Sequence, residues 1–148
     1  MTIINWEKMR AFRGKSEGVV MHGHIKITVF EKSIIDGVER VSERRFHNLL
    51  VTVGKDTMLK YLGEVSGGAK IDKIGVGNST QAAVVGDTAL VGGSQLIKTI
   101  SSVDRVYVRP TLFVSVEYGY SEANFIWNEL GLFDANSVLI ARQVDASP

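Results

Sequence analysis

The chain has 148 residues, 45% of them hydrophobic, and a formal net charge of +1. That length and apolar content suit one domain with a real core, and the absence of cysteine excludes disulfides and thiolate metal sites. No apolar run approaches the ~20 residues that span a bilayer, and the first residues lack the features of a secretory signal, so we expect no membrane association.

Charge is unevenly spread along the chain. Residues 117–148 contain five acidic residues and one arginine, a net charge of −4, which leaves +5 for residues 1–116. A difference of this size can orient neighbouring subunits, but it is far below what a dedicated nucleic-acid binder shows. We therefore expect protein partners and no nucleic acid.

Residues 1–17 are predicted to form an N-terminal arm, because they lack the alternation of a strand. Trp6 and Arg13 belong to a set of residues at near-helical spacing. One interpretation is a short or frayed surface helix. The other is an arm that docks on a neighbouring subunit, with Trp6, Phe12 and Arg13 in the interface. Residues 18–148 are then predicted to form a single β domain.

The first hairpin is predicted from strict alternation over residues 18–31, which is typical of a half-buried strand. Asp36-Gly37 is a strong hairpin-turn signal and returns the chain into a second strand at about residues 38–52. The simplest register places Lys26 opposite His47.

One short helix is predicted over residues 55–63. Asp56 or Thr57 can cap its start, and Gly63 ends it. Its apolar stripe comprises Met58, Leu59 and Leu62.

The middle of the chain is predicted to contain a strand at 70–76, a long ordered loop at 77–95 with a helical turn near Asp87–Leu90, and strands at about 96–103 and 106–118. Pro110 falls inside the last of these, which indicates an edge position or a bulge.

The closing hairpin turns at Ala135 and Asn136, because asparagine tolerates the positive φ that tight turns need. Its register sets Glu129 opposite Arg142 and Trp127 opposite Val144. Both faces are apolar, so we expect either burial of both faces inside the domain or burial of one against another subunit. The candidate interface residues here are Phe125, Trp127 and Phe133.

Together these elements predict a mainly β fold, an antiparallel β-sandwich with one short helix and an N-terminal arm.

No constellation of residues predicts an active site. The three histidines, His22, His24 and His47, are interpreted as half-exposed sheet residues rather than a zinc or nickel site, since Lys26 shares their face. Gly75–Thr80 lacks the remaining residues of a phosphate-binding loop. We therefore predict no catalytic residue, no cofactor and no metal.

Two charged groups are interpreted as structural. Glu129 with Arg142 predicts a cross-strand ion pair rather than a general acid and its partner. The predicted second strand carries basic residues interleaved with acidic ones. The basic residues are Arg40, Arg44, Arg45 and His47, and the acidic ones are Glu39 and Glu43. Charges of both signs favour a solvated face or a charged protein interface.

Four motifs in order carry a resemblance to a family. They are Asn-Leu-x-Val-x-x-Gly at 48–54, Ile-x-x-Ile-x-Val-Gly at 71–77, Asp-Thr-x-Leu at 87–90, and a Trp-x-Glu-x-Gly-Leu-Phe…Ala-Arg hairpin at 127–142. Over roughly residues 45–144 the chain resembles small β-structured proteins from tailed-bacteriophage particles. Ser137 departs from the pattern, where the resemblance implies glycine.

The resemblance implies a non-enzymatic structural protein of the virion, assembled in the host cytoplasm. Capsid cement or decoration is the favoured role, and a tail, neck, baseplate or fibre-attachment protein is the alternative. The resemblance implies other virion proteins as partners, such as the major capsid protein or tail and neck proteins. The two-faced apolar hairpin and the uneven charge predict that the protein also binds itself, with a trimer expected. A carbohydrate- or receptor-binding β-module is a different class of function, but the loop aromatics, Tyr118 and Tyr120, are few.

Overall fold

The computed structural model describes residues 2–13, 19–32, 39–108, 111–119 and 121–145. The chain divides into two compact units, residues 1–47 with 101–122 (unit 1) and residues 48–100 with 123–148 (unit 2). The border between these units does not fall at residue 17. The predicted class, mainly β with antiparallel sheets and one short helix, is confirmed for the described residues.

Twelve segments of regular structure follow one another along the described chain. They are β1 (Thr2–Arg13), β2 (Val19–Lys32), β3 (Glu39–His47), β4 (Leu49–Leu50), α1 (Thr52–Leu62), β5 (Ile71–Gly77), β6 (Gln95–Thr99), a short 3-10 helix (Ser102–Asp104), β7 (Arg105–Val108), β8 (Thr111–Tyr118), β9 (Glu129–Asp134) and β10 (Leu139–Val144).

Unit 1 is built on a five-stranded antiparallel sheet in the order β3-β2-β1-β8-β7. The prediction that residues 1–17 lie outside the β pattern is wrong for residues 2–13, because β1 pairs with β2 on one side and with β8 on the other. A β-bulge between Trp6 and Lys8 shifts the register. Such a bulge breaks the period of two, which explains why the sequence lacks the pattern of a strand.

The register of the first hairpin differs from the predicted one by two residues. His24 lies opposite His47 and Lys26 opposite Arg45, whereas Lys26 was expected opposite His47. The expected turn at Asp36-Gly37 lies outside the described residues. The predicted apolar face is buried at Ile25 and Ile27, but on the other face Thr28 is buried too and the Lys26 side chain is only 19% exposed, so this part of the strand is more covered than predicted.

The single strand predicted over residues 106–118 is in fact two. β7 and β8 pair antiparallel, with Val106 opposite Phe113, and β7 forms an edge of the sheet. Pro110 lies outside the described residues, between the two strands. The buried residues of this unit include Ile25, Ile27, Val114, Val116 and Tyr118.

Unit 2 contains the second antiparallel sheet, in the order β4-β10-β9-β5-β6, together with α1. The helix begins at Thr52, three residues before the predicted start, and Val51 precedes it without a side-chain cap. It ends at Gly63 as predicted. The predicted stripe is wrong, because Leu59 and Leu62 are exposed.

Helix α1 instead packs through small side chains. Gly54 and Thr57 are its buried residues, and a Cβ atom at Gly54 would overlap the backbone of Ile140 in β10. The helix therefore approaches the sheet at backbone distance. Because the helix packs through small residues and not through an apolar stripe, its sequence has no helical hydrophobic period from which the packing face could be predicted.

The closing hairpin, β9 and β10, pairs in a different register from the predicted one. Arg142 lies opposite Gly131 and Val144 opposite Glu129, with an irregularity between Leu139 and Ala141. Ser137 has a φ of 65° and follows a turn in which its N–H donates to the Asp134 carbonyl oxygen. The positive φ falls on Ser137 and not on Asn136, for which it was predicted, and glycine adopts such a φ most easily, which accounts for the glycine expected at this position.

The long loop is confirmed, since residues 78–94 contain no helix or strand. The helical turn expected near residues 87–90 is absent from that segment. A hydrophobic cluster of Val51, Leu90, Phe133 and Leu139 joins the loop to the hairpin. No helix within the described ranges is long and apolar enough to cross a membrane.

Candidate functional site

The most unusual chemistry in unit 2 is a buried ion-pair network, here called the clamp and formed by Asp87, Glu129 and Arg142. Glu129 and Arg142 are completely buried. Arg142 Nε donates to Glu129 Oε1 over 2.7 Å, and Arg142 Nη1 donates to Asp87 Oδ2 over 2.8 Å. The predicted ion pair between Glu129 and Arg142 is thus confirmed, although the residues are diagonal rather than directly opposite.

The remaining donors of Arg142 hold the long loop. Nη2 donates to the Gln81 carbonyl oxygen over 3.0 Å, and Nη1 also reaches the Ala82 carbonyl oxygen at 3.4 Å. A guanidinium has five N–H donors in a planar fork, and this geometry uses donors from all three of its nitrogens. Arg142 therefore binds the loop at three separate residues.

Glu129 holds the far end of the same loop. The Val91 N–H donates to its Oε1 over 2.7 Å and the Gly92 N–H to its Oε2 over 3.0 Å. Gly77 leaves room for the carboxylate, because a Cβ atom there would overlap Glu129 Oε2. Both ends of the loop are consequently fixed to the hairpin by charge-assisted hydrogen bonds.

The clamp also sets two pKa values. Burial would raise the pKa of Asp87, but hydrogen bonds from the Val84 N–H and from Arg142, with the charge of Arg142, lower it below the usual range. Burial would lower the pKa of Arg142, but its hydrogen bonds to Asp87 and Glu129 raise it. Each charged form is therefore stabilised by its partners.

The clamp has the properties of a structural element. A general acid must reach a substrate, whereas both oxygens of Glu129 face internal donors and its side chain is buried. A buried ion pair contributes to a fold when further hydrogen bonds satisfy its remaining lone pairs, as they do here.

A second buried carboxylate, Asp134, was not anticipated from the sequence. Its Oδ2 accepts a hydrogen bond of 2.7 Å from Thr57 Oγ1, and its Oδ1 accepts one of 2.8 Å from the Val138 N–H. It therefore joins α1 to the hairpin turn. Aspartate at the first position of a turn is a recognisable signal, but nothing local identifies Thr57 as its partner.

The proposed interface residues lie in different environments. Phe133 is 4% exposed in the core of unit 2, so its prediction as an interface residue is wrong. Phe125 and Trp127 precede β9 and are half-buried, and Trp127 Nε1 donates to the Ala123 carbonyl oxygen over 2.9 Å. Trp6, Phe12 and Arg13 occupy β1, and their side chains lie outside the described part of the structure.

The two apolar faces of the closing hairpin are both internal. Every residue of β9 is buried, and so are the first four residues of β10. For β9 and the start of β10 this matches the first of the two predicted alternatives, burial inside the chain. Ile126, which precedes β9 in the predicted hairpin, is instead 78% exposed.

Two of the three histidines meet in the sheet of unit 1. The rings of His24 and His47 meet edge to face with centroids 4.6 Å apart, and the side chain of His22 lies outside the described part. Lys26 beside them forms a 2.7 Å ion pair with Glu43. Across the described ranges, no group of three or more His, Cys, Asp or Glu side chains is arranged to hold a metal ion.

One edge of the sheet of unit 1 exposes three consecutive apolar side chains. Val106, Tyr107 and Val108 in β7 are 50%, 67% and 58% exposed. An edge strand with exposed apolar residues and no charge over three positions is the kind of edge on which another chain can pair.

Comparison of the chain with protein-family models, with curated proteins and with solved structures gives no significant match.

Proposed function

We propose that this protein is a non-enzymatic structural component of a tailed-bacteriophage particle, with capsid cement as its favoured role. The proposal rests on one observation. Residues from all four motifs of the resemblance lie close together inside unit 2. Of the clamp residues, Asp87 belongs to the third motif, and Glu129 and Arg142 belong to the fourth.

The apolar positions of the same motifs meet beside the clamp. Leu90 and Phe133 pack in one hydrophobic cluster with Val51. Gly75 and Gly131 lie opposite each other, and a Cβ atom on either would crowd the Phe133 ring, at 3.0 and 2.9 Å respectively. Packing therefore accounts for the apolar and glycine positions of the motifs that lie in this cluster.

A structural role also fits the rigidity of the loop. Loops without regular structure that exceed about 12–15 residues are uncommon unless they are functional or disordered. Here residues 78–94 are held at both ends by buried charges, and the loop displays Val84, Val85 and Val91 at its surface. A fixed apolar surface loses little conformational entropy on binding, which favours permanent assembly.

The proposal keeps the self-association expected from the sequence, but it moves the expected contact between subunits to another part of the chain. The hairpin at 129–144 is internal, whereas β7 offers an exposed apolar edge. We therefore place the expected subunit contact at β7.

Deletion of the gene from the virus that encodes the chain tests this role. We expect DNA replication and lysis to proceed, while the particles lose DNA at a lower temperature or lack an appendage in electron micrographs. Normal particles together with a defect in replication or lysis would contradict the proposal. Complementation with the Gly86→Ala variant, which adds a Cβ atom in open space, is the matched control.

A further inference from the structure

We propose that α1 forms a contact with a second copy of the chain. The contact surface, here called the helix patch, consists of the exposed apolar side chains of Leu59, Leu62 and Val65. Leu59 and Leu62 are 69% and 73% exposed, and Val65 is 56% exposed. The inference does not depend on the proposed virion role, and the helix patch lies in unit 2, whereas β7 belongs to unit 1.

The inward face of α1 is fixed, so the helix cannot turn to bury its leucines. Gly54 approaches the backbone of Ile140 so closely that a Cβ atom there would overlap it. Thr57 donates a 2.7 Å hydrogen bond to Asp134 from the same face of the helix. A rotation that covered the two leucines would break both of these contacts. A surface that covers the helix from outside is therefore needed to remove the leucines from water.

The helix patch is continuous and has a well-defined backbone. Leu59 and Leu62 stand at positions i and i+3, so they are neighbours on one face of the helix. The Val65 N–H donates to the Lys60 carbonyl oxygen over 2.8 Å, which folds the chain back along the end of the helix. A contiguous apolar surface is typical of a protein contact, and a backbone that is already ordered loses little conformational entropy on binding.

Charges of opposite sign border the helix patch at its two ends. Lys55 lies one turn before Leu59, Glu64 follows the end of the helix, and both charged residues are exposed. Asp56 and Lys60 form a 2.7 Å ion pair with each other. Two copies with antiparallel helices place Lys55 of each beside Glu64 of the other, whereas parallel helices would place like charges together.

The charge pattern makes the helix patch complementary to itself, which is why a second copy is the partner that fits it. In a two-fold contact each patch meets an identical patch, so both pairs of opposite charges form at once. The opposed dipoles of antiparallel helices add to this attraction. A contact built on one helix of 11 residues is smaller than the ~800 Å² per partner of a standard interface, so we expect a weak, reversible dimer.

Sedimentation velocity between ~1 µM and ~1 mM tests this inference. The chain used carries Tyr107→Glu, which places a charge in β7 and removes the other expected contact. Leu62→Glu then changes the helix patch. Ile126→Glu is the matched control, because it makes the same kind of change at another apolar position of unit 2, where the side chain is 78% exposed. Circular dichroism melting checks that each variant is folded.

We expect a monomer–dimer equilibrium that Leu62→Glu weakens roughly tenfold or more and Ile126→Glu by less than about twofold. A chain that stays monomeric at ~1 mM would overturn the inference. Equal losses in the two variants would overturn it too, because the association would then not depend on the helix patch.

A charge swap tests the antiparallel arrangement. Lys55→Glu and Glu64→Lys should each weaken the dimer roughly fivefold, since each change brings like charges together twice in a two-fold contact. The double variant exchanges the two charges and should restore the affinity of the parent chain. A double variant that dimerises as weakly as the single ones would overturn the self-complementary contact.

Discussion

Glu129 and Arg142 form a fully buried ion pair of 2.7 Å although neither is the direct cross-strand partner of the other. The ladder places Val144 opposite Glu129 and Gly131 opposite Arg142. The pair is therefore diagonal. This geometry turns the guanidinium toward Asp87 and the loop, so one ion pair of the hairpin also fixes a distant segment.

Replacement of Arg142 should destabilise the protein strongly. Arg142→Ala leaves Glu129 buried without its cation, and breaking a buried pair in this way costs about 3–5 kcal/mol. Arg142→Lys keeps the charge but loses the planar fork, so we expect a smaller loss. Arg45→Ala is the matched control, since that side chain is 68% exposed. Urea unfolding measures all three, and a loss below about 1 kcal/mol for Arg142→Ala would refute the structural importance of the clamp.

Gly54→Ala tests the close approach of α1 to β10. Alanine is favoured over glycine in a helix by about 1 kcal/mol, so an open site would be stabilised. At Gly54 the added Cβ atom meets the backbone of Ile140, and overpacking costs about 1–3 kcal/mol or more. We therefore expect a lower melting temperature. A rise in melting temperature would show that the helix is not seated on the strand as described.

Thr57→Val isolates the hydrogen bond between α1 and the hairpin turn. The change keeps the shape of the side chain but leaves Asp134 Oδ2 without its 2.7 Å donor. An unsatisfied buried acceptor costs about 1–3 kcal/mol. Thr99→Val, at an exposed position of β6, should change the free energy of unfolding by less than about 0.5 kcal/mol. Equal effects of the two substitutions would argue against the bond.

Acid should weaken the clamp through Asp87. The pKa of this carboxyl is lower in the folded chain than in the unfolded chain, so its contribution to stability is complete above the unfolded value of about 3.9 and is lost as pH falls through the folded value. Asp87→Asn should remove this part of the pH dependence. A variant with the same slope of stability against pH below about pH 4 would show that Asp87 is not responsible.

The elements with a regular period were predictable from the sequence. Strand β5 and the end of α1 at Gly63 lie within a residue of their predicted positions. The failures occur where a local feature interrupts the period. The bulge after Trp6 hid β1, and the division of β7 from β8 was missed because Pro110 was interpreted as an edge position or a bulge within one strand.

The clamp was predictable only in part. Charge complementarity predicted the ion pair of Glu129 with Arg142, which lie close together along the chain. Asp87 is 55 residues from Arg142, and no local pattern connects the two. The burial of Phe133 was likewise not predictable, because its packing on Leu90 depends on where the loop returns.

The copy number of the chain in purified particles tests the proposed function most directly. Quantitative mass spectrometry of gradient-purified particles, calibrated against the major capsid protein, gives this number. Capsid cement predicts hundreds of copies per particle, and a ring of three to about twelve would instead assign the protein to the tail or neck. Fewer than one copy per particle would contradict a structural role in the virion.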